Sequence, residues 1–413
     1  MRSDHSHSWE LHGIAPRQKS RVQLLTSRNA DKILFVSSVH YEAYYLCRFN
    51  LAPVLPLLIA AFGLTHSEAG ALGSMLFISY ALVLLPAGVL GDVIGPRVVI
   101  TLGAAISAVM NLLFSYSTSF ASMLIIQFVN GLGQGMAWGP LTRLMTNWYP
   151  REKMGFVMSL LSIPPALGPP LAYILSGYVA STYGWKAVFQ IPFVILIATS
   201  VPFALFVRNK PSDSPPSHPW SRSSFFELLR KREIWLVSVA YLALWGATRG
   251  LSVWLPTFLV ERVGMTLMAA STLGGVISLP GIPSMFVGTW ISDVKLQGRK
   301  SIVILFSLLT PIPILLLLPS VQGPILLLSL LALAFVLFYC AAGLYFAYPS
   351  VLVAKEQVGA ASGLIDTFGY IGNFLGILAI GVAVDAFKSY SPMFVISAVM
   401  AVIGAIAILK VKP

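Results

Sequence analysis

Residues 88–97 read GVLGDVIGPR and lie between two long apolar runs. The pattern returns over residues 288–300 as GTWISDVKLQGRK, again between apolar runs. Each copy places glycines, an aspartate and at least one basic residue in a short loop, a pattern that predicts a tight turn between closely packed helices. The duplication indicates that the chain contains two related halves.

The repeat extends beyond this loop. Corresponding residues lie 200 to 204 positions apart, and this offset changes only slowly along the chain. We therefore predict a disordered cytoplasmic tail over residues 1–32, a first helical bundle over 33–208, a Pro/Ser-rich cytoplasmic linker over 209–232 and a second bundle over 233–413. The corresponding pairs are Arg48 and Arg249, Gly88 and Gly288, Asp92 and Asp293, Arg97 and Arg299, Gly155 and Gly359, Gly168 and Gly372, and Gly177 and Gly381.

The composition is that of a membrane protein. Apolar residues make up 57% of the chain and charged residues only 10%, whereas about 25% of a soluble domain is charged. Twelve apolar runs each approach the roughly 20 residues that a helix needs to cross a bilayer. Because the runs are continuous and not alternating, they predict helices and not a β-barrel. The predicted fold is all-α, with twelve transmembrane helices in two six-helix repeats, and with bends at Pro53/Pro56 and Pro164/Pro165.

The distribution of the basic residues behind the net charge of +12 predicts how the chain is oriented in the membrane. Of the 27 Lys and Arg residues, 22 lie in segments on one predicted side of the membrane and three in loops on the other. The positive-inside rule predicts that both termini are cytoplasmic, in a multi-pass protein of the cytoplasmic (inner) membrane. No nucleic-acid partner is needed to explain the basic excess.

The two remaining basic residues lie inside predicted spans. Arg48 is about fifteen residues into span 1, and Arg249 is equally deep in span 7. A charge at that depth is costly unless it faces a cavity or a partner, and two converging guanidiniums suit a phosphate or carboxylate group. Tyr41 and Tyr45 share the helix face of Arg48. The alternative is that each arginine pairs permanently with a protein acid or caps carbonyls of a broken helix.

Several motifs resemble a known family. The loop at residues 88–97 resembles the loop signature of the major facilitator superfamily. The motifs Tyr41-x-x-Tyr44-Tyr45-x-x-Arg48-x-Asn50 and Gln134-Gly135-Met136-x-Trp138-x-Pro140 are similar to those of the organophosphate:phosphate antiporters, the glycerol-3-phosphate transporter-like branch.

This resemblance implies alternating access around a cavity at the membrane midplane, in which Arg48 and Arg249 grip a phosphate group during organophosphate/phosphate exchange. Trp138 and Tyr345 either line this cavity or anchor span ends at the interface. A cytoplasmic gate is expected at the duplicated loops, with Asp92, Arg97, Asp293 and Arg299 stabilising closure.

Two acids within the spans support a second hypothesis. Glu42 in span 1 and Asp366 in span 11 are candidates for proton coupling, because burial of a carboxyl group favours its protonated form. The protein would then be a proton-coupled symporter of an organic anion such as a carboxylate. The alternative for Glu42 is a salt bridge to Arg48 or Arg249. A third hypothesis is a non-transporting sensor of sugar phosphates.

The remaining features have simple interpretations. His66 and Glu68 are predicted to lie in an exposed loop, and the glycines of span 11 are predicted to pack against another helix. No hydrolase triad or metal-ligand cluster is present in the sequence, so we expect no enzyme activity, no cofactor and no metal. We expect a monomer in the lipid bilayer whose partners are a small anionic substrate and, as coupling species, phosphate or a proton.

Overall fold

The computed structural model describes residues 16–209, 227–354 and 357–411, and within these ranges it is helical and contains no strand. Eleven continuous or jointed helices are long and apolar enough to cross a membrane. The one remaining predicted span, the fourth along the chain over residues 120–144, consists of two shorter helices that meet at Met136 and Ala137. The all-α prediction is therefore confirmed.

The first six spans are Pro16–Phe49 with Leu51–Phe62, His66–Ile94, Pro96–Phe114, Phe120–Gly135 with Trp138–Trp148, Met154–Leu161 with Ile163–Tyr183, and Ala187–Phe206. The second six are Arg232–Glu261, Leu267–Val276 with Gly281–Trp290, Lys300–Leu309 with Pro311–Leu317, Pro324–Tyr339 with Ala342–Ala347, Val358–Phe387, and Ser391–Leu409. We number them span 1 to span 12.

Proline residues account for the joints in spans 1 and 5. Span 1 is interrupted at Asn50, directly after Phe49, whose carbonyl lies four residues before Pro53. A proline has no backbone N–H to bond the carbonyl four residues earlier, and its ring clashes with that carbonyl. The joint in span 5 at Ser162 directly precedes Ile163 and Pro164. The bends lie where the sequence predicted them.

Span 1 begins earlier than predicted. The helix starts at Pro16 and continues to Phe49, whereas the prediction placed a disordered tail up to residue 32. A proline suits a helix start because its missing N–H would have no partner in the first turn. Residues 1–15 and the central part of the linker, 210–226, lie outside the described residues.

The two halves are in close contact at one end of the bundle. We call the end at which span 1 begins and spans 6 and 12 end the linker side, and the opposite end the far side. Near the far side, Gly70 of span 2 lies so close to Gly381 of span 11 that an added Cβ would be 3.3 Å from the Gly381 Cα atom. The Tyr173 hydroxyl of span 5 donates to the carbonyl of Ser252 in span 7 at 3.1 Å.

Contacts are sparser on the linker side. Gly88, Gly155 and Gly359, which belong to the repeated motifs there, face open space: no atom lies within 4 Å of a Cβ added to any of them. Phe156 of span 5 and Phe286 of span 8 are 70% and 74% exposed. The halves are therefore in direct contact on the far side, and spans 2 and 11 also stay in contact toward the linker side, where a Cβ added to Gly363 would lie 2.8 Å from Leu85 Cδ2.

Candidate functional site

Arg48 lies at the centre of the molecule, at the end of the first helix of span 1. Only 4% of the residue is exposed. Its Nε atom donates a hydrogen bond to Gln134 Oε1 at 2.9 Å. Its guanidinium carbon lies 4.5 Å from the ring centre of Tyr45, 4.9 Å from that of Tyr80 and 5.9 Å from that of Tyr41. Aromatic faces attract a cation at these distances. The positive charge of Arg48 is therefore stabilised by these three rings and by the Gln134 amide.

A buried polar network fixes the orientation of Gln134. The Gln134 Nε2 atom donates to the carbonyl of Tyr44 at 3.1 Å and to Ser107 Oγ at 2.7 Å. Ser107 in turn donates to Asn130 Oδ1 at 2.7 Å. With both amide hydrogens engaged, the amide oxygen of Gln134 must point toward Arg48. No role is predicted for Gln134 from the sequence, although a glutamine inside an apolar span is a signal for one.

A residue of the second half completes the environment of Arg48. Its Nη1 atom donates to the hydroxyl of Tyr370, in span 11, at 3.4 Å. The Tyr370 ring stacks on Tyr80 of span 2, with ring centres 3.8 Å apart and an angle of 15° between the rings. The two halves of the protein are therefore in contact at the arginine itself.

Arg249 lies next to this group. Its guanidinium carbon is 4.6 Å from the ring centre of Phe49, the residue that follows Arg48, and 5.3 Å from that of Trp245. Arg249 Nε and Arg48 Nη2 are buried, and neither has a hydrogen-bond partner in the part of the chain that the structure describes. Among the described residues neither guanidinium forms an ion pair with a carboxylate. Permanent pairing with a protein acid, the alternative raised by the sequence, is therefore absent from this state.

The other predicted binding residues divide into two groups. Tyr41 and Tyr45 lie against Arg48, and Trp138 of span 4 stacks on Tyr41 with ring centres 5.7 Å apart. Tyr345 lies in the second half, where its ring centre is 4.9 Å from that of Tyr241. Its hydroxyl is buried without a partner. Trp138 thus contacts Tyr41, one of the rings that lie over Arg48. Tyr345 is not one of the rings that lie over either guanidinium.

The two acids within the spans do not neutralise the arginines. The Oε1 atom of Glu42 is buried and has no hydrogen-bond donor. Asp366 accepts a hydrogen bond from the hydroxyl of Tyr241. It precedes Tyr370 on span 11 by about one helical turn. Within the part of the chain that the structure describes, the proposed salt bridge between Glu42 and an arginine does not form.

The duplicated loops form ion pairs within each half. Asp92 accepts from Arg143 Nε at 3.0 Å, and Asp293 lies 3.8 Å from Lys300 Nζ. The backbone N–H of Arg97 donates to the Asn209 side chain at 2.9 Å. Neither aspartate is paired with the arginine of its own motif, Arg97 or Arg299, among the described contacts. The predicted gate concerns the state closed on the linker side, so it stays a prediction.

The prediction of an exposed loop at His66 was wrong. His66 is the first residue of span 2 and lies between Glu261 and Asp385 of the second half. Glu68 forms a capping box with Thr65, in which each side chain bonds the backbone of the other. A histidine at a helix start looks like a loop residue in sequence because its long-range partners are not visible there.

Comparison with known proteins identifies the family. The family model described as the Major Facilitator Superfamily matches residues 42–377. The chain belongs to this superfamily. A solved structure of a bacterial homolog to the human lysosomal transporter Spinster has the same fold, with a TM-score of 0.83 at 17% identity, covering 93% of this chain and 97% of that one.

Curated relatives of this facilitator include a transporter and a membrane sensor protein. It is 27% identical over 379 residues to the glycerol-3-phosphate transporter of Bacillus subtilis (strain 168), with 85% of each chain covered. It is 24% identical over 409 residues to the membrane sensor protein UhpC of Salmonella typhimurium (strain LT2), covering 91% of this chain and 90% of that protein. The resemblance to the organophosphate:phosphate antiporters is confirmed.

Proposed function

We propose that this facilitator exchanges an organophosphate for inorganic phosphate by alternating access, with Arg48 and Arg249 binding the phosphate group of either. The observation that carries the proposal is a pair of guanidiniums, one over the ring of Tyr45 and one over the ring of Phe49, that have no carboxylate partner among the described residues. Two buried positive charges are costly without a counter-ion. A phosphate dianion supplies that counter-ion and matches the planar donors of arginine.

The surroundings of the arginines favour a phosphate ester over a highly polar substrate. Tyr41, Tyr45 and Tyr80 cover the Arg48 guanidinium, and Phe49 covers that of Arg249. Such rings offer apolar faces to an organic group that extends from the phosphate, and Trp138 extends this aromatic surface. Tyr345 is proposed to line the same cavity from the second half, and its partnerless hydroxyl is available to a substrate.

The transport cycle follows from the two-fold repeat. We assign the linker side to the cytoplasm because 22 of the 27 basic residues lie on that side. The far side, where the halves are in contact, then faces away from the cytoplasm. Closure toward the cytoplasm would bring the two duplicated loops together, where Asp92, Arg97, Asp293 and Arg299 are proposed to form the gate.

The experiment is counterflow of labelled phosphate in liposomes that contain the purified protein. Liposomes preloaded with phosphate are expected to take up external labelled phosphate at least tenfold faster than unloaded ones, because exchange requires a substrate on both sides. A phosphate monoester inside should replace phosphate. Equal uptake by loaded and unloaded liposomes would contradict exchange. Liposomes without protein provide the background.

The alternative is proton-coupled symport of a carboxylate, and it is favoured by Glu42, whose buried Oε1 atom has no donor. On this hypothesis Glu42→Gln or Asp366→Asn would abolish uptake driven by a pH gradient, since an amide cannot carry the proton, and a protonophore would do the same in the wild type. If exchange is correct, counterflow is expected to change less than about twofold with the protonophore. Uptake by both variants, measured with and without the protonophore, separates the two hypotheses.

The sensor hypothesis is tested with the same preparation. A sensor relative appears among the similar proteins, and a sensor would bind its ligand without moving it. Phosphate or a phosphate monoester would then raise the thermal stability of the purified protein, while counterflow stayed at the background of protein-free liposomes. Flux above that background assigns this chain to transport.

A further inference from the structure

Three titratable side chains meet across the two halves at the far side. His66 begins span 2, Glu261 ends span 7 and Asp385 lies near the end of span 11. The His66 Nε2 atom is 2.9 Å from Glu261 Oε2, and its Nδ1 atom is 3.1 Å from Asp385 Oδ1. The first half supplies the imidazole and the second half supplies both carboxylates, so this cluster joins the halves where they are closed.

The geometry indicates which form of His66 fits the cluster. Ionised carboxylates only accept hydrogen bonds, and a neutral imidazole has a hydrogen on just one ring nitrogen. Because each ring nitrogen faces a carboxylate oxygen, both bonds form only when His66 is doubly protonated. A neutral ring would place a lone pair against one of the two oxygens. The arrangement therefore favours the imidazolium form of His66, which carries one more proton than the neutral ring.

Contacts from both halves fix the two carboxylates. Asp385 accepts from the backbone N–H of His66 at 3.1 Å and from that of Ser67 at 2.6 Å, so it lies on the first turn of span 2. Glu261 Oε2 accepts from the hydroxyl of Tyr390 at 2.7 Å. An acid at a helix N-terminus is favoured by the unpaired N–H groups. The carboxylates are thereby held in place to receive the imidazolium.

The cluster is accessible to protons from the far side. Side-chain exposure is 24% for His66, 30% for Glu261 and 22% for Asp385. Of the other ionisable groups nearby, Glu68 is engaged with Thr65, and Tyr390 bonds Glu261. The cations that follow the two acids in sequence, Arg262 and Lys388, are exposed.

We propose that His66, Glu261 and Asp385 form a proton-binding latch that holds the far side closed while His66 is protonated. Opening of the far side moves span 2 away from spans 7 and 11 and leaves the imidazole without its two acceptors. The closed state thus binds this proton more tightly than the open state. By linkage, acid on the far side stabilises closure, and a rise in pH through the range where histidine titrates favours opening.

The latch regulates the cycle and does not drive it. The three side chains lie at the far end of their spans, so the proton enters from and returns to the same side of the membrane. No net proton movement across the bilayer results. This distinguishes the latch from the coupling roles considered for Glu42 and Asp366, and the proposal does not depend on which anion is transported.

The test measures far-side separation of the halves by double electron–electron resonance. Spin labels are attached to cysteines introduced at Thr118 of the first half and Gln322 of the second, both exposed in far-side loops, after replacement of Cys47 and Cys340 by alanine. In nanodiscs, raising the pH from about 5 to about 8 is expected to increase the long-distance population about tenfold. A distance distribution that does not change with pH would overturn the proposal.

Three variants separate a latch from a purely structural contact. His66→Gln is expected to give the high-pH distribution at every pH, and Asp385→Asn is expected to weaken the pH response. His66→Arg supplies a permanent cation with several donors, so it should stay closed at every pH. Glu68→Gln, in the same turn but outside the latch, should respond like the wild type. A wild-type pH response in His66→Gln would also overturn the proposal.

Discussion

Phosphate counterflow is expected to fall about a hundredfold when Arg48 is replaced by alanine. The variant removes a buried cation that no protein carboxylate neutralises among the described residues and that we propose binds the substrate. Hydrogen bonds to charged groups contribute about 1.5–3 kcal/mol each, and each 1.4 kcal/mol corresponds to about a tenfold change. Initial rates of labelled phosphate uptake into phosphate-loaded liposomes measure the effect.

Two variants control for the charge and its orientation. Arg48→Lys keeps the charge but loses the Nε donor that bonds Gln134, so at most partial activity is expected. Gln134→Glu keeps the shape of the amide but places a carboxylate 2.9 Å from the guanidinium. Because this internal counter-ion competes with phosphate, binding should weaken about tenfold or more. Wild-type exchange by Arg48→Ala, in a protein that elutes as a single species, would refute the anion-binding role.

The second large effect concerns folding. Gly372→Leu is expected to lower the midpoint of thermal unfolding by about 10 °C. Gly372 of span 11 packs against the backbone of span 7, and an added Cβ would lie only 2.9 Å from the Leu242 Cα atom. Backbone cannot move aside as a flexible side chain can, so the two spans must separate. Thermal unfolding in detergent, followed by the loss of monodisperse protein, measures the change.

Gly359 on the same span provides the matched control. No atom lies within 4 Å of a Cβ added there, so Gly359→Leu is expected to shift the midpoint by less than about 2 °C. An equal loss of stability in both variants would mean that the helix tolerates no large side chain anywhere. The close packing of spans 7 and 11 at Gly372 would then not be the cause.

Much of the architecture could be predicted because the bilayer imposes simple rules. Length and apolarity located the spans, and Pro53 and Pro164 located two joints, because these properties act within one helix. The same rules singled out Arg48 and Arg249, since a charge within an apolar span is costly wherever the helix packs. The structure places the Arg249 guanidinium on the ring of Phe49, the residue that follows Arg48, as expected for corresponding spans of a repeat.

The partners of these residues could not be predicted. Gln134 bonds Arg48 because span 4 presents its amide at that depth, and Tyr370 reaches it from a different half of the chain. Asp92 pairs with Arg143 of another span, and not with the arginine in its own motif. Such pairings depend on helix rotation and relative depth, which a periodicity of apolar residues constrains only weakly.

The sequence by itself determined a two-fold repeated bundle of membrane helices and the two arginines that make it a candidate anion transporter. It did so because hydropathy and internal repetition are local properties of the chain. Only the tertiary structure decided which side is closed and what holds it closed. His66 looks like a loop residue in sequence, and it becomes a junction between the halves because spans 7 and 11 end beside it with two carboxylates.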